Sequence, residues 1–240
     1  MNSTASHKMA AASDRPENVV RRVEAPDRCD LDSAQALFSA QEREHHLLTI
    51  LSSHGLLPLS GKKILEVGCG TGKWLRDLIG WGANPGDLHG VELLEASASR
   101  ARRLCPPEVT IECGNAAELR MAPNTFDIIL QAAVFTGVLD ESMKRAMAAE
   151  MLRVLRPGGV ILWYDFCFSN RQNPYVQPMG QDEIGRLFPG CSIELRRVSL
   201  ASPLVRLLAA RSSKMCWMLS RIPALCTHYL GALRKSPVLQ

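Results

Sequence analysis
Along the middle of the chain, short apolar runs of strand length alternate with stretches whose apolar residues recur at helical spacing. The pattern predicts strands over 64–67, 88–92, 109–113, 126–131 and 159–166, with helices over 71–80, 93–104 and 142–155 between them. Gly80, Gly82, Asn84 and Pro85 close the first of these helices, and Pro106 and Pro107 close the second. Strand and helix repeating in units this short imply a parallel sheet covered by helices on both faces, because the crossovers between parallel strands are right-handed and span the sheet.

The flanks carry other patterns. Residues 1–28 are small, polar and charged without periodicity, which predicts a mobile tail. Leu31, Ala34, Leu37, Phe38, Leu47, Leu48 and Leu51 then recur at helical spacing up to Gly55, so residues 29–60 are expected to form a helical N-terminal cap of one or two helices. The remainder, 61–240, reads as one domain. Within it, 170–178 is a loop by composition, 181–188 a short helix, and 191–200 and 224–233 strands. Between those strands, Ser202 and Pro203 open a segment that runs to Ile222, where Pro223 stops it. Leu204, Leu208, Met215, Leu219 and Ile222 fall on one side of its helical wheel, and Arg206, Lys214 and Arg221 on another, with a possible break at Ser212 and Ser213.

Composition narrows the class. A chain of 240 residues, 46% hydrophobic and 22% charged, has the balance of a globular domain with an ample core. Its eight cysteines form neither a CxxC pair nor a metal-site spacing, so they are expected to be reduced thiols, with no metal site. Nothing resembles a secretory signal, and no run of about 18 apolar residues is available for a membrane span; a cytoplasmic location is expected. The net charge of +4 is unevenly spread, since the last 46 residues carry +8 and no acidic side chain.

Candidate chemistry collects where the predicted strands end, because ligands of open α/β sheets bind outside the carboxyl ends of the strands. The first strand, ILEV, contains Glu66 and runs into Gly68, Gly70 and Gly72. Glycines there permit positive φ and let backbone N–H groups approach a ligand. The second strand ends in Glu92, a carboxylate 24 residues beyond Gly68 and suited to accept the hydroxyls of a ribose. The third ends before Asn115, the fourth in Gln131 and the fifth near Asp165. A dinucleotide fingerprint needs two residues before its last glycine, whereas only Thr71 separates Gly70 from Gly72, and no phosphate-loop motif occurs.

The motifs ILEVGCGTG, VELLEAS, ECGNAAEL, FDIIL and RVLRPGG, in this order, resemble those of class I S-adenosylmethionine-dependent methyltransferases of the small-molecule, type 11-like kind. The likeness spans 62–168. It implies a doubly wound, seven-stranded, mostly parallel Rossmann-like sheet with an antiparallel last strand. It also implies S-adenosylmethionine as methyl donor and S-adenosylhomocysteine as product. Glu66, Gly68, Cys69, Gly70 and Gly72 would hold the methionine moiety, Glu92 and Leu93 the ribose, Asn115 and Ala116 the adenine, and Gln131 the sulfonium region.

Methyl transfer from a sulfonium depends on in-line placement and on excluding water. The expected acceptor is a small molecule, methylated on an oxygen of a sugar or specialised metabolite. Candidate general bases are Asp165, His45 and His46. Asp165 also fits a loop cap, and the histidines fit an inert helix surface. Arg43 is a candidate partner for the donor's carboxylate, or else for Glu42 or Glu44. Asn173 and Tyr175 lie on the loop expected to read the acceptor. The basic segment 203–222 suits packing on the sheet or contact with an anionic membrane or lipid-linked acceptor. RNA methylation is a weaker alternative, since aromatic residues make up only 5% of the chain. A catalytically silent subunit that keeps the fold is the reading from a different class.

Overall fold
The computed structural model describes residues 33–168 and 177–236. The expected tail 1–28, the first residues of the expected cap and the candidates Asn173 and Tyr175 lie outside these described residues. Among the described residues seven strands form one sheet: β1 (Ile64–Val67), β2 (Leu88–Glu92), β3 (Thr110–Cys113), β4 (Phe126–Ala132), β5 (Leu155–Phe166), β6 (Cys191–Leu200) and β7 (Cys226–Lys235). Their spatial order is β3-β2-β1-β4-β5-β7-β6. The chain therefore winds outward from β1 in one direction to β3, then returns and winds the other way. β7 runs antiparallel to both of its neighbours, and the four inner pairings are parallel.

Side-chain alternation along the strands sorts the core into two layers. On one face Ile64, Ile128, Leu130 and Leu162 pack with Leu47 and Leu51 of α1 (Ala34–Ser53) and with Leu75 and Leu78 of α2 (Lys73–Gly80). α3 (Glu95–Leu104) adds Ala98 and Ala101 to that layer. On the other face Leu65, Ile129 and Ile161 pack with Met147, Met151 and Val154 of α4 (Glu141–Val154) and with Ile184 of α5 (Gln181–Leu187). β1 is buried at every position, as a central parallel strand must be.

One expectation changes, and the break allowed at Ser212 and Ser213 is present. β5 begins at Leu155 rather than Gly159, because Leu155 pairs with Phe126 ahead of an irregularity in the ladder. The segment 203–222 is two short helices, α6 (Ser202–Leu208) and α7 (Ser213–Leu219). They separate where the Ser212 hydroxyl accepts from Met215 N at 3.2 Å, an N-cap that starts α7 afresh. Their apolar side covers α1 and the end of β6: Leu204, Val205, Leu208, Cys216 and Trp217 cluster with Phe38 and Leu200. Trp217 meets the Phe38 ring edge-on at 5.4 Å. No helix among the described residues is long and apolar enough to cross a membrane.

α1 is held in place by a buried carboxylate. Glu42 is 1% exposed, and its two oxygens accept from Leu200 N at 3.1 and 3.2 Å. Burial raises its pKa, while the backbone donors oppose that rise. Removing the acceptor leaves Leu200 N–H buried without a partner. Glu42→Ala is expected to lower the unfolding free energy by about 2 kcal/mol; a urea denaturation midpoint equal to that of the wild type would refute this anchor.

Candidate active site
β1 hands the chain to α2 through Gly68, Gly70 and Gly72, whose φ angles are 69°, 53° and 76°. The three glycines serve different ends. A Cβ on Gly68 would lie 2.6 Å from Val134 Cγ2 and one on Gly72 2.5 Å from Cys105 Sγ, so both positions are packed against protein. A Cβ on Gly70 would meet nothing within 4 Å. Gly70 thus presents bare backbone to open space, the arrangement a close-approaching ligand requires. The loop is tied to β2: Gly68 N and Cys69 N donate to Val91 O, and Gly70 N donates to Glu92 Oε2 at 2.8 Å. The other oxygen of Glu92 accepts from Leu94 N at 2.9 Å. The Cys69 thiol is buried, and burial raises its pKa.

Beneath the loop, Glu66 is 1% exposed and its Oε2 has no hydrogen-bond partner among the described residues. Burial raises its pKa well above the ordinary carboxylate value, helped by the charges of Asp77 and Glu92. An unpartnered buried carboxyl oxygen is costly unless something polar or cationic completes it. Gln131 is fully buried with Nε2 likewise unpartnered, while its Oε1 takes the Val134 N–H at 3.4 Å.

Beside this loop lies a cavity of about 490 Å³. Arg43, Ala40 and Glu44 of α1 form one wall, and Lys73, Trp74, Asp77 and the following Trp81 form another. Ala132, Ala133, Tyr164, Phe166 and His228 complete it from the ends of β4, β5 and β7. Glu44 accepts from Trp81 Nε1 at 2.9 Å, joining the two helical walls. Lys73 pairs with Asp77 at 2.5 Å. A second cavity of about 200 Å³ lies at the end of β3, lined by Val91, Glu112, Asn115 and Glu118 among others. There Asn115 Oδ1 accepts from Ala117 N at 2.9 Å, and Ala116 packs against the core. Leu93 is exposed at the end of β2.

The candidate bases require correction. Asp165 does not line the cavity. Strand alternation sends Tyr164 and Phe166 to the cavity side and Asp165 to the opposite face. There it is fully buried, accepting from Thr136 Oγ1 at 2.6 Å and from Phe166 N at 2.9 Å. His45 and His46 also lie away from it. His45 packs against the Trp217 ring at 5.4 Å. Burial, then the charge of Arg196, pushes His46 down to about 4. Arg43 does face the cavity, and its neighbours Glu42 and Glu44 are engaged with Leu200 N and Trp81 instead. At the end of β4 it is Ala132 and Ala133, not Gln131, that reach the cavity. The sequence reading missed His228 altogether. It lies on the last strand, beyond the motifs, and only the sheet order brings it beside β5.

Residues 64–159 match the family model described as a methyltransferase domain. Over those residues, less than half of its length, the chain is similar to that family. The 2-methyl-6-phytyl-1,4-hydroquinone methyltransferase of Synechocystis is 31% identical over 109 residues, which is 44% of this chain and 32% of that one. The chain spans less than half the length of such curated relatives. A crystal structure of a SAM dependent methyltransferase from Archaeoglobus fulgidus superposes with a TM-score of 0.56 at 12% identity, covering 83% of this chain and 98% of that one. The [4+2]-cyclase SpnF superposes with a TM-score of 0.59 at 19% identity, covering 82% of each chain. Both structural likenesses show the fold.

The methyl donor of such domains is S-adenosylmethionine, and the residues present fit it. The open backbone at Gly70 and the unpartnered oxygen of Glu66 lie at one strand end, and the small cavity beside Asn115 lies two strands away in the same sheet.

The burial of Asp165 has a pH signature. Burial, partly offset by its hydrogen bonds from Thr136 and Phe166, raises its pKa from 3.8 to about 6. A carboxyl raised in the folded state contributes stability below its unfolded pKa and loses it as pH rises through the folded value. Relative to Asp165→Asn, the wild type is expected to lose about 2–3 kcal/mol between roughly pH 4 and pH 6. Denaturation of both proteins across that range measures the difference, and parallel profiles would count against it.

Proposed function
We propose that this chain moves a methyl group from S-adenosylmethionine to an oxygen of a small acceptor, a specialised metabolite or sugar, and releases S-adenosylhomocysteine. The observation that carries this reading is the open backbone of Gly70 above the buried, half-unpartnered carboxyl of Glu66. The donor's methionine ammonium supplies the cationic partner that Glu66 lacks. Arg43 of the cavity wall takes its carboxylate, a charge-assisted pair favoured in a half-enclosed site. Glu92 keeps lone pairs for the ribose hydroxyls after accepting from Gly70 and Leu94, and Asn115 with Ala116 borders the adenine. Gln131, away from the cavity, shapes the end of β4 rather than touching the sulfonium. The reactants then meet in the 490 Å³ cavity, where the covering α1 limits the access of water.

The cyclase among the structural neighbours is a reminder that this fold does not itself dictate methyl transfer. Titration calorimetry with S-adenosylhomocysteine, followed by incubation with methyl-labelled donor and a panel of hydroxylated acceptors, tests the reading. Binding by the wild type, at least tenfold weaker binding by Gly68→Ala and transfer of label are expected. Absence of binding removes the proposal, and binding without any transfer favours the silent subunit.

A second reading of the acceptor side concerns α6 and α7. Leu207, Met215, Met218 and Ile222 are exposed in the same segment as exposed Arg206, Arg211, Lys214 and Arg221. Exposed apolar side chains among cations suit an anionic lipid surface that presents a lipid-linked acceptor. Co-sedimentation with vesicles containing phosphatidylserine is expected at low salt and is expected to weaken as salt rises; protein left in the supernatant at low salt would exclude it.

A further inference from the structure
We propose that His228 is the proton acceptor for the incoming hydroxyl and that the hydroxyl belongs to an aromatic ring, so that the acceptor is a phenol-class molecule. The proposal rests on the methyl-transfer reading above and adds to it a base and a substrate class.

The argument for the base begins with a hydroxyl that has one proton to give. Thr227 Oγ1 donates to Ser199 O at 3.1 Å. The same oxygen is 2.9 Å from His228 Nδ1. With its proton spent on Ser199, Thr227 accepts there, so Nδ1 carries the imidazole hydrogen. Nε2 is then the lone-pair nitrogen, on a ring that lines the cavity. Burial, then the positive charge of Arg43, pushes His228 down to about 3, so the ring is neutral at any physiological pH. This combination, a fixed tautomer on a ring that lines the cavity, distinguishes His228 from His45 and His46.

The substrate class follows from the wall around that nitrogen. Tyr164 lies parallel to His228, with ring centroids 4.7 Å apart and 5° between planes. Phe166 lies against the same histidine ring, with centroids 4.0 Å apart, and Trp74 of α2 lies 6.2 Å from Tyr164. Trp81 adds a further ring to the lining. A run of rings from the helix opened by Gly72 to His228 offers flat apolar faces with one acceptor nitrogen. A planar aromatic alcohol matches both features; the charged side chains of the lining, Arg43, Glu44, Lys73 and Asp77, stand on the two helical walls.

In the step, the hydroxyl oxygen of the acceptor attacks the methyl carbon. The C–O bond forms as the S–CH3 bond breaks, and that electron pair stays on sulfur. The hydroxyl proton passes to His228 Nε2 while Nδ1–H remains on Thr227, and solvent later takes the proton. The oxygen becomes strongly acidic as it is alkylated, so a weakly basic imidazole suffices, and its weakness keeps it unprotonated beforehand.

The test uses the full chain with nitrogen-15-labelled histidine, loaded with S-adenosylhomocysteine and titrated with catechol, hydroquinone or saturated cyclohexane-1,2-diol. Before titration, the His228 resonances should report a protonated Nδ1 and a bare Nε2. The aromatic diols are expected to shift the Nε2 resonance and quench tryptophan fluorescence, and the saturated diol to do neither. An Nε2-protonated tautomer, or no response of Nε2 to either aromatic diol, overturns the proposal. Failure of S-adenosylhomocysteine to bind would instead indict the donor reading, and the same titration without it still reads the histidine. With labelled donor and catechol, His228→Phe, which keeps a ring against Tyr164, should lose at least about 100-fold in kcat with donor affinity unchanged. Full kcat in that variant sinks the base role. Should it fail to fold, Thr227→Val, which frees the tautomer, should lower kcat and weaken the Nε2 response.

Discussion

The carboxylate of Glu92 links the two strand ends on which the site depends. One oxygen takes the N–H of Gly70 and the other that of Leu94, so a single side chain fixes both the glycine loop and the turn into the next helix. The loop needs such an anchor. Three glycines with positive φ are conformationally free in the unfolded chain and costly to order. With Gly68 and Gly72 packed against Val134 and Cys105, only Gly70 is left facing space. The cradle is therefore a rigid object built from flexible residues.

Buried carboxyls recur around this frame in different capacities. Glu42 spends both oxygens on Leu200 N and thereby docks α1 over the sheet. Asp165 spends its own on Thr136 and Phe166 and holds the loop beyond β4. Glu66 differs from these in keeping an oxygen with no partner among the described residues. Burial penalises each of them, and in the proposed methyl-transfer reading the donor's ammonium completes the one left incomplete.

α1 matters because it closes the cavity rather than because of the histidines it carries. Its Arg43 faces inward between residues whose carboxyls are engaged elsewhere. α6 and α7 support it from outside through Phe38, Leu200 and Trp217. The C-terminal third of the chain thus serves the site in two ways, by backing the cap and by adding His228 through β7.

The sequence by itself determined the strand ends on which the proposed donor site rests. ILEV running into three alternate glycines, and a second strand ending in Glu92, are local patterns: strand period, turn chemistry and strand-end position can be read within about thirty residues. β2 and β6 fell where the pattern put them, and the parallel sheet followed from the short alternating units, while the doubly wound, seven-stranded order came from the family resemblance. What only the tertiary structure decided was the acceptor side. Whether Asp165 or Tyr164 meets the cavity turns on which face each residue of β5 presents, and that depends on register. His228 comes beside Phe166 only because β7 inserts antiparallel between β5 and β6. Such a pairing joins residues far apart in the chain, and no local periodicity encodes it.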